Sequence, residues 1–210
     1  MSASINSAAG LITEIRKKAP EYIDLLTAKT DDDFDKAFDA VLGPVIARME
    51  ENKVNFASLD EVGLTAVLCT GLSVPGVTAS AEKHSNGHVD LTIEANHCVP
   101  VRKKLGEAKI WNGYEYHVSG LAQLIERYST GRETSGLLII YFQKHSGIDM
   151  LIRRLREEMD DKLPCRQQGE AVDHVHKWSF RSSHSHDSGI ALQISHVGCN
   201  MYVAPAAGKK

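Results

Sequence analysis

Gly136 to Phe142 (GLLIIYF) is the segment that most limits what this chain can become. The run carries no charged residue, includes the β-branched Ile139 and Ile140, and is too short for an ordinary buried helix. It is expected as a central strand covered on both faces. A strand of that kind needs helices packed on either side, and the flanking sequence supplies helical patterns. Tyr116 to Ser129 places Val118, Leu121, Ala122, Ile125 and Tyr128 on one side, and Ile148 to Asp161 does the same with Leu151, Ile152, Leu155 and Met159. Further strands are expected where Val89, Leu91 and Ile93 alternate with His88, Asp90, Thr92 and Glu94, and over Leu105 to Trp111. Asn96 to Lys104 reads as a turn-rich, basic connection between them. His174 to Phe180 and Gly189 to Val197 read as a terminal hairpin, joined by the Ser/His-rich turn Ser182 to Ser188. The order helix, strand, strand, helix, strand, helix, hairpin predicts an α/β fold with a mixed central sheet flanked by helices.

The first part of the chain reads as helices alone. Leu11, Ile12, Ile15 and Ala19 recur at helical spacing until Pro20, and Tyr22 to Ala28 forms a second short piece. Thr30 followed by Asp31, Asp32 and Asp33 is a helix start, with a capping hydroxyl and acids in the first turn. The stripe Phe34, Phe38, Val41, Leu42, Val45, Ile46, Met49 continues it, with Pro44 expected to kink or divide the helix. A boundary near residue 57 separates an N-terminal helical segment, 1–57, from an α/β domain, 58–204, with a disordered tail over 205–210. Ser58 to Leu72 reads as a helix that Ser58 and Glu61 could open as a capping box, and Pro75 and Gly76 end it.

Charge and cysteine usage exclude several classes. The formal net charge of −3 argues against a surface that grips nucleic acid throughout. Local basic runs, Arg102–Lys103–Lys104 and Arg153, Arg154 and Arg156, remain candidates for a substrate path or for solvated faces. Cys69, Cys98, Cys165 and Cys199 are scattered without metal-knuckle or CxxC spacing and are expected as free thiols. No apolar run approaches the roughly 20 residues of a membrane-spanning helix. The first ten residues lack the pattern of a secretory signal, so a cytoplasmic location without membrane contact is expected.

The chemistry concentrates on two strands. Glu107 and Lys109 are two residues apart and share a strand face, and Asp90 lies opposite to Val89 and Leu91 on the preceding strand. If the two strands are neighbours, Asp90, Glu107 and Lys109 form one polar patch on an apolar sheet. Paired carboxylates with substrate oxygens make a hard-ligand site for Mg²⁺, with Mn²⁺ as a substitute. A lysine beside them can orient a water or stabilise developing charge. A salt bridge among the same three groups is the competing structural reading. His88 shares the face of Asp90 and could contact substrate. The pairs His174/His176 and His184/His186 could bind Zn²⁺ or Ni²⁺ from a strand, although an exposed polar strand face and a solvated turn are the favoured account of them.

The run Gly106-Glu107-Ala108-Lys109-Ile110-Trp111, followed by Gln123-Leu124, Tyr128 and Arg132, resembles the PD-(D/E)xK, or restriction-endonuclease-like, nuclease superfamily. It is similar to the branch found in prokaryotic anti-phage defence proteins, over roughly residues 58–203. Val89 stands before Asp90 where the family motif has proline. The resemblance implies catalytic roles for Asp90, Glu107 and Lys109, with Gln123 and Tyr128 near the substrate phosphate. It implies metal contacts from Asp90, Glu107 and Glu61, where Glu61 is also open to a purely capping role. Trp111 is expected to pack rather than stack on a base. The implied function is a Mg²⁺-dependent endonuclease, DNA favoured over RNA, acting as the effector or nuclease subunit of a defence system, as a homodimer or as a subunit of a complex. Residues 1–57 would then be open to a protein partner. A non-catalytic subunit of a nucleic-acid-processing complex is the alternative.

Overall fold

The structure is a computed structural model. It describes residues 7–84 and 88–205, and the side chains of 82–84 and 88–89 lie outside that description. The tail expected over 205–210 therefore falls almost wholly outside the described residues. The described residues form a seven-stranded open sheet, ordered β1-β2-β3-β4-β7-β6-β5. The strands are β1 Thr78–His84, β2 His88–Ala95, β3 Arg102–Ile110, β4 Ser135–Tyr141, β5 Val172–Asp173, β6 Ser179–Ser185 and β7 Ala191–Cys199. The β3/β4 and β4/β7 pairs are parallel and the other pairs antiparallel, so the sheet is mixed.

The GLLIIYF run does become the central strand. Alternation along β4 sends Leu137, Ile139 and Tyr141 to one core and Leu138, Ile140 and Phe142 to the other. The first core is filled by α2 (Pro20–Thr27), α3 (Asp31–Glu51) and α5 (Glu61–Leu72), through Leu25, Phe38, Leu42, Leu64, Leu68 and Leu72. The second is filled by α6 (Tyr114–Ala122), the π-helical turn Gln123–Tyr128 and α7 (Ile148–Lys162), through Leu121, Leu124, Ile125, Ile152, Leu155 and Met159. Two short helices, α1 (Ala8–Lys18) and α4 (Lys53–Phe56), complete the N-terminal region. No helix among the described residues is long and apolar enough to cross a membrane.

α3 opens on the expected cap. Thr30 Oγ1 accepts from Asp33 N at 3.1 Å, and the Asp33 carboxylate accepts from Thr30 N at 3.0 Å. The helix runs undivided through Pro44, where the sequence left a kink or a division open. Its packing supplies the reason: Val41, Leu42, Val45 and Ile46 are all buried around the proline, and burial outweighs the local loss of one backbone bond.

Helix α3 is also fastened to the sheet by charge. Asp31, Asp35 and Asp39, at four-residue spacing, share a helix face. Asp31 pairs with Arg102 and accepts from Thr134 Oγ1. Asp35 lies 2.8 Å from Lys104 and accepts from Ser135 Oγ at 3.0 Å. Asp39 pairs with Arg181 and lies 3.4 Å from His174 Nε2. The basic runs named from sequence are thus largely committed to ion pairs: Arg153 meets Asp149 at 2.7 Å, and Arg156 meets Asp173 at 2.6 Å. Arg102 also stands seven residues from Lys109 along β3, about 23 Å away at strand rise.

The histidine-rich C-terminal region differs from expectation. His174 and His176 lie between β5 and β6, not on a strand, and the His174 side chain is fully buried beside Asp39. Ser182 to Ser185 belong to β6 rather than to a turn. Ser182 and His184 point inward and join a buried polar chain. One set of neutral tautomers satisfies it: His117 Nε2–H donates to His196 Nδ1 (3.0 Å), and His196 Nε2–H to Ser182 Oγ (2.7 Å). Ser182 O–H then donates to His184 Nε2 (2.6 Å), and His184 Nδ1–H to the Cys165 carbonyl (3.0 Å).

Burial pushes the His117 imidazole down to about 3 and His184 down to about 4, and holds His196 well below its ordinary range. Their neutral state is therefore stabilising at pH above 6.5. As pH falls below 6.5 the unfolded chain binds protons that the folded chain excludes. Each histidine then lowers stability until its folded pKa is reached. Chemical denaturation is expected to show a clearly lower midpoint at pH 5 than at pH 7. Equal midpoints would contradict this burial.

Candidate active site

β2 and β3 pair from Ala95↔Arg102 to Leu91↔Gly106 and then part. Beyond that point the edge of β3 facing β2 is completed by carboxylates. Ala108 N donates to Asp90 Oδ2 at 3.2 Å, and Ile110 N donates to Glu61 Oε2 at 2.8 Å. The divergence of two strands therefore creates the notch, and two acids from different elements fill it.

Glu61 reaches the notch because α5 begins two residues later than a Ser58 cap would set it. Asp60 is the N-cap, and its carboxylate accepts from Gly63 N at 2.9 Å. The capping box expected from Ser58 is therefore absent, and Glu61 is released from a capping role to face β3. The bond from Gln143 Nε2 to the Leu59 carbonyl, at 2.9 Å, ties this helix start to the end of β4. That contact also brings the exposed Lys144 and His145 next to the α5 N-terminus.

Glu107 and Lys109 project from β3 toward α6. Lys109 Nζ is the centre of the cluster, 2.6 Å from Glu107 Oε1, 3.5 Å from Glu61 Oε1 and 3.8 Å from Asp90 Oδ2. The sequence-predicted trio thus converges, with Glu61 as a fourth member. α6 can lie this close because Gly120 has no side chain: a Cβ there would stand 3.1 Å from Lys109 Cγ and Cε and 3.4 Å from Glu107 Cγ. Glu107 is 1% exposed, while the Asp90 and Glu61 side chains retain 29% and 28%. The cluster is accordingly open to solvent on the Asp90–Glu61 side and closed behind Glu107.

The electrostatics follow from this geometry. Three carboxylates face one ammonium. Burial pushes the Glu107 carboxyl up to about 7, against the lowering effect of Lys109 and with the charges of Asp90 and Glu61 adding to the rise. Lys109 is raised above its ordinary value, since its bond to Glu107 and the surrounding acids outweigh desolvation. Glu107 Oε2 is buried and has no hydrogen-bond partner among the described residues.

Gln123 and Tyr128 frame the π-helical turn, which packs against β3. Gln123 Oε1 is also buried without a partner among the described residues. Burial raises the Tyr128 phenol, and the charges of Glu107 and Asp90 raise it further, so its ring lies in the field of the trio. A π-helical turn is a recurrent feature of functional sites, and apolar periodicity alone does not reveal one. Trp111 stacks on Phe142 at 5.3 Å, which agrees with packing. The His88 side chain lies outside the described residues.

Sequence reasoning missed Tyr116. Its ring is 38% exposed at the mouth of the site, and Lys109 Nζ is 5.7 Å from the ring centroid. The signal available was its place in the first turn of the helix that follows the ExK strand.

The fit to a divalent cation rests on three observations. The donors are hard carboxylate oxygens. One of them, Glu107 Oε2, is an orphaned buried acceptor. A cavity of about 20 Å³, lined by Glu61, Val62, Thr65, Ala81 and Asp90, adjoins the cluster. That exceeds the roughly 10–15 Å³ that a single water requires. Among the described residues no three His, Cys, Asp or Glu side chains are gathered as a metal cage. The acids here surround an ammonium instead. Magnesium does not require such a cage, since it commonly takes one or two protein carboxylates and retains waters.

No protein-family model, curated protein or solved structure matches this chain.

Proposed function

We propose that this chain is a Mg²⁺-dependent nuclease of the restriction-endonuclease-like kind, hydrolysing phosphodiester bonds in DNA, within a prokaryotic defence system. The observation that carries the reading is the convergence of Asp90, Glu107 and Glu61 on Lys109 where β2 and β3 part. The mixed sheet with helices on both faces is compatible with that fold.

Asp90 and Glu107 would hold the cation, with Glu61 reaching it directly or through water. Magnesium bound there supplies charge neutralisation at the phosphate and makes water a stronger nucleophile. The remaining work belongs to the chain. Lys109 is placed to hold an attacking water or the phosphate oxygens by charge-assisted hydrogen bonds. Glu107, closed off behind α6, keeps its orientation through Lys109. Tyr116 lies on the open side, where the sugar-phosphate backbone would approach, and the exposed Lys144 follows Gln143 beside the start of α5. Gln123 and Tyr128 support the site from the π-helical turn.

One observation favours a second reading, a non-catalytic subunit of a nucleic-acid-processing complex. Lys109 already contacts all three acids, as a structural ion cluster would. Supercoiled plasmid, linear DNA and RNA incubated with purified protein separate the two. With Mg²⁺ or Mn²⁺, DNA cleavage that stops on adding EDTA is expected. Intact substrates in all three cases would favour the non-catalytic subunit.

A further inference from the structure

We propose that Lys109 is the resident counter-ion of the cation site, and that a divalent metal binds only by displacing its ammonium. The inference rests on reading the cluster as a metal site, and it concerns how that site is loaded. The ammonium sits between acids from α5, β2 and β3, at 3.5, 3.8 and 2.6 Å. Its side chain is only 11% exposed. Solvent therefore screens it poorly, and its repulsion of an incoming cation is strong.

The geometry makes the competition direct. The space beside Glu61 and Asp90 is where a cation would enter. Four of the six carboxylate oxygens there are already turned toward Lys109 or toward β3 amides. Glu61 Oε2 serves Ile110 N and Asp90 Oδ2 serves Ala108 N, while Glu107 Oε1 serves Lys109. Of the Glu107 oxygens, only Oε2 has no partner. Gly120 lies against the lysine stem, so the ammonium moves outward toward the open side, past the Tyr116 ring.

A substrate phosphate on that side attracts the ammonium. Metal and substrate then load together: the phosphate draws Lys109 away, and the vacated carboxylates accept the cation. Metal without substrate binds weakly. This coupling protects against idle metal occupancy and is reciprocal, so metal strengthens phosphate binding by the same factor.

Calorimetric titration with Mn²⁺ tests this at neutral pH, using the full chain and the variants Lys109→Met, Lys109→Gln and Glu107→Gln, each checked for folding by circular dichroism. Both Lys109 variants are expected to bind Mn²⁺ more tightly than the wild type, on the order of tenfold or more. Adding an uncleavable phosphorothioate DNA is expected to tighten Mn²⁺ binding in the wild type and to have little effect in Lys109→Met. The second lysine variant keeps the test open if the first fails to fold. Suppose the Lys109 variants bind Mn²⁺ equally or more weakly, while Glu107→Gln abolishes wild-type binding. The cation site then stands and the counter-ion role is overturned. No Mn²⁺ binding by wild type or by either lysine variant would overturn both.

Discussion

Glu107→Gln is expected to lower DNA cleavage by about 10²–10³-fold or more while leaving the fold intact. The two effects separate because Glu107 serves the site at a cost to stability. It is 1% exposed, and burial lifts its carboxyl to about 7. Below pH 4.5 the group is protonated in both folded and unfolded chains. As pH rises from 4.5 to 7 the unfolded chain ionises first, so the folded state loses stability through this residue. A neutral amide of the same shape removes that penalty. It also gives up the 2.6 Å pair to Lys109, which retains Glu61 and Asp90 as neighbours. The two terms offset, and thermal unfolding at pH 7 is expected to shift by no more than a few degrees. Loss of cleavage with an intact melting transition supports a role in chemistry. Full cleavage by the folded variant would remove Glu107 from the reaction.

The second large effect concerns stability alone. Lys104 is 2% exposed and lies 2.8 Å from Asp35, its side chain passing over the Phe38 ring at 5.5 Å. Asp35→Ala leaves a buried ammonium without its countercharge and frees Ser135 Oγ. Breaking a buried pair from one side costs about 3–5 kcal/mol. For a chain of this length that corresponds to a fall in melting temperature on the order of 10 °C. Lys104→Met removes the buried charge instead, and Asp35, with a quarter of its side chain exposed, can turn to water. That variant is expected to lose about 1 kcal/mol or less. Melting curves of the two variants check the asymmetry. Equal losses would mean that Lys104 contributes by packing rather than by charge.

What was legible in the sequence tracks where apolar residues alternate. β4 could be read because both its faces are apolar, and β2 because Leu91 and Ile93 alternate with polar neighbours. Asp90, Glu107 and Lys109 were legible because strand periodicity alone puts them on related faces. Most of the failures come from polar residues buried by specific partners. The start of β3 looked like a basic connection because Lys104 points inward onto Asp35. β6 looked like a turn because its inward residues, Ser182 and His184, satisfy one another through His196 instead of joining an apolar core. β1 went unseen since its residues, TASAEKH, are small or charged, with Ala79 as its buried contribution. Of the aspartates that tie α3 to the sheet, Asp31 was visible only as part of a helix start and Asp35 and Asp39 not at all, because their partners lie about 70–140 residues further along the chain.

The same limit applied to the site. Ser58 and Glu61 matched a capping box, and only the position of Asp60 showed that Glu61 is free to reach Ile110 N. The parting of β2 from β3, which turns two ordinary strands into a notch whose amides bond to carboxylates instead of to a strand, depends on register and leaves no trace in local periodicity. Tyr116 and Gly120 gain their roles from the crossing of α6 over β3.

The most direct test is an anomalous difference map from crystals soaked in Mn²⁺. A single peak in bonding contact with carboxylate oxygens of Asp90 and Glu107, with the Lys109 ammonium moved outward, is the predicted result. An empty notch at saturating Mn²⁺, with Lys109 still seated among the three acids, would contradict the account.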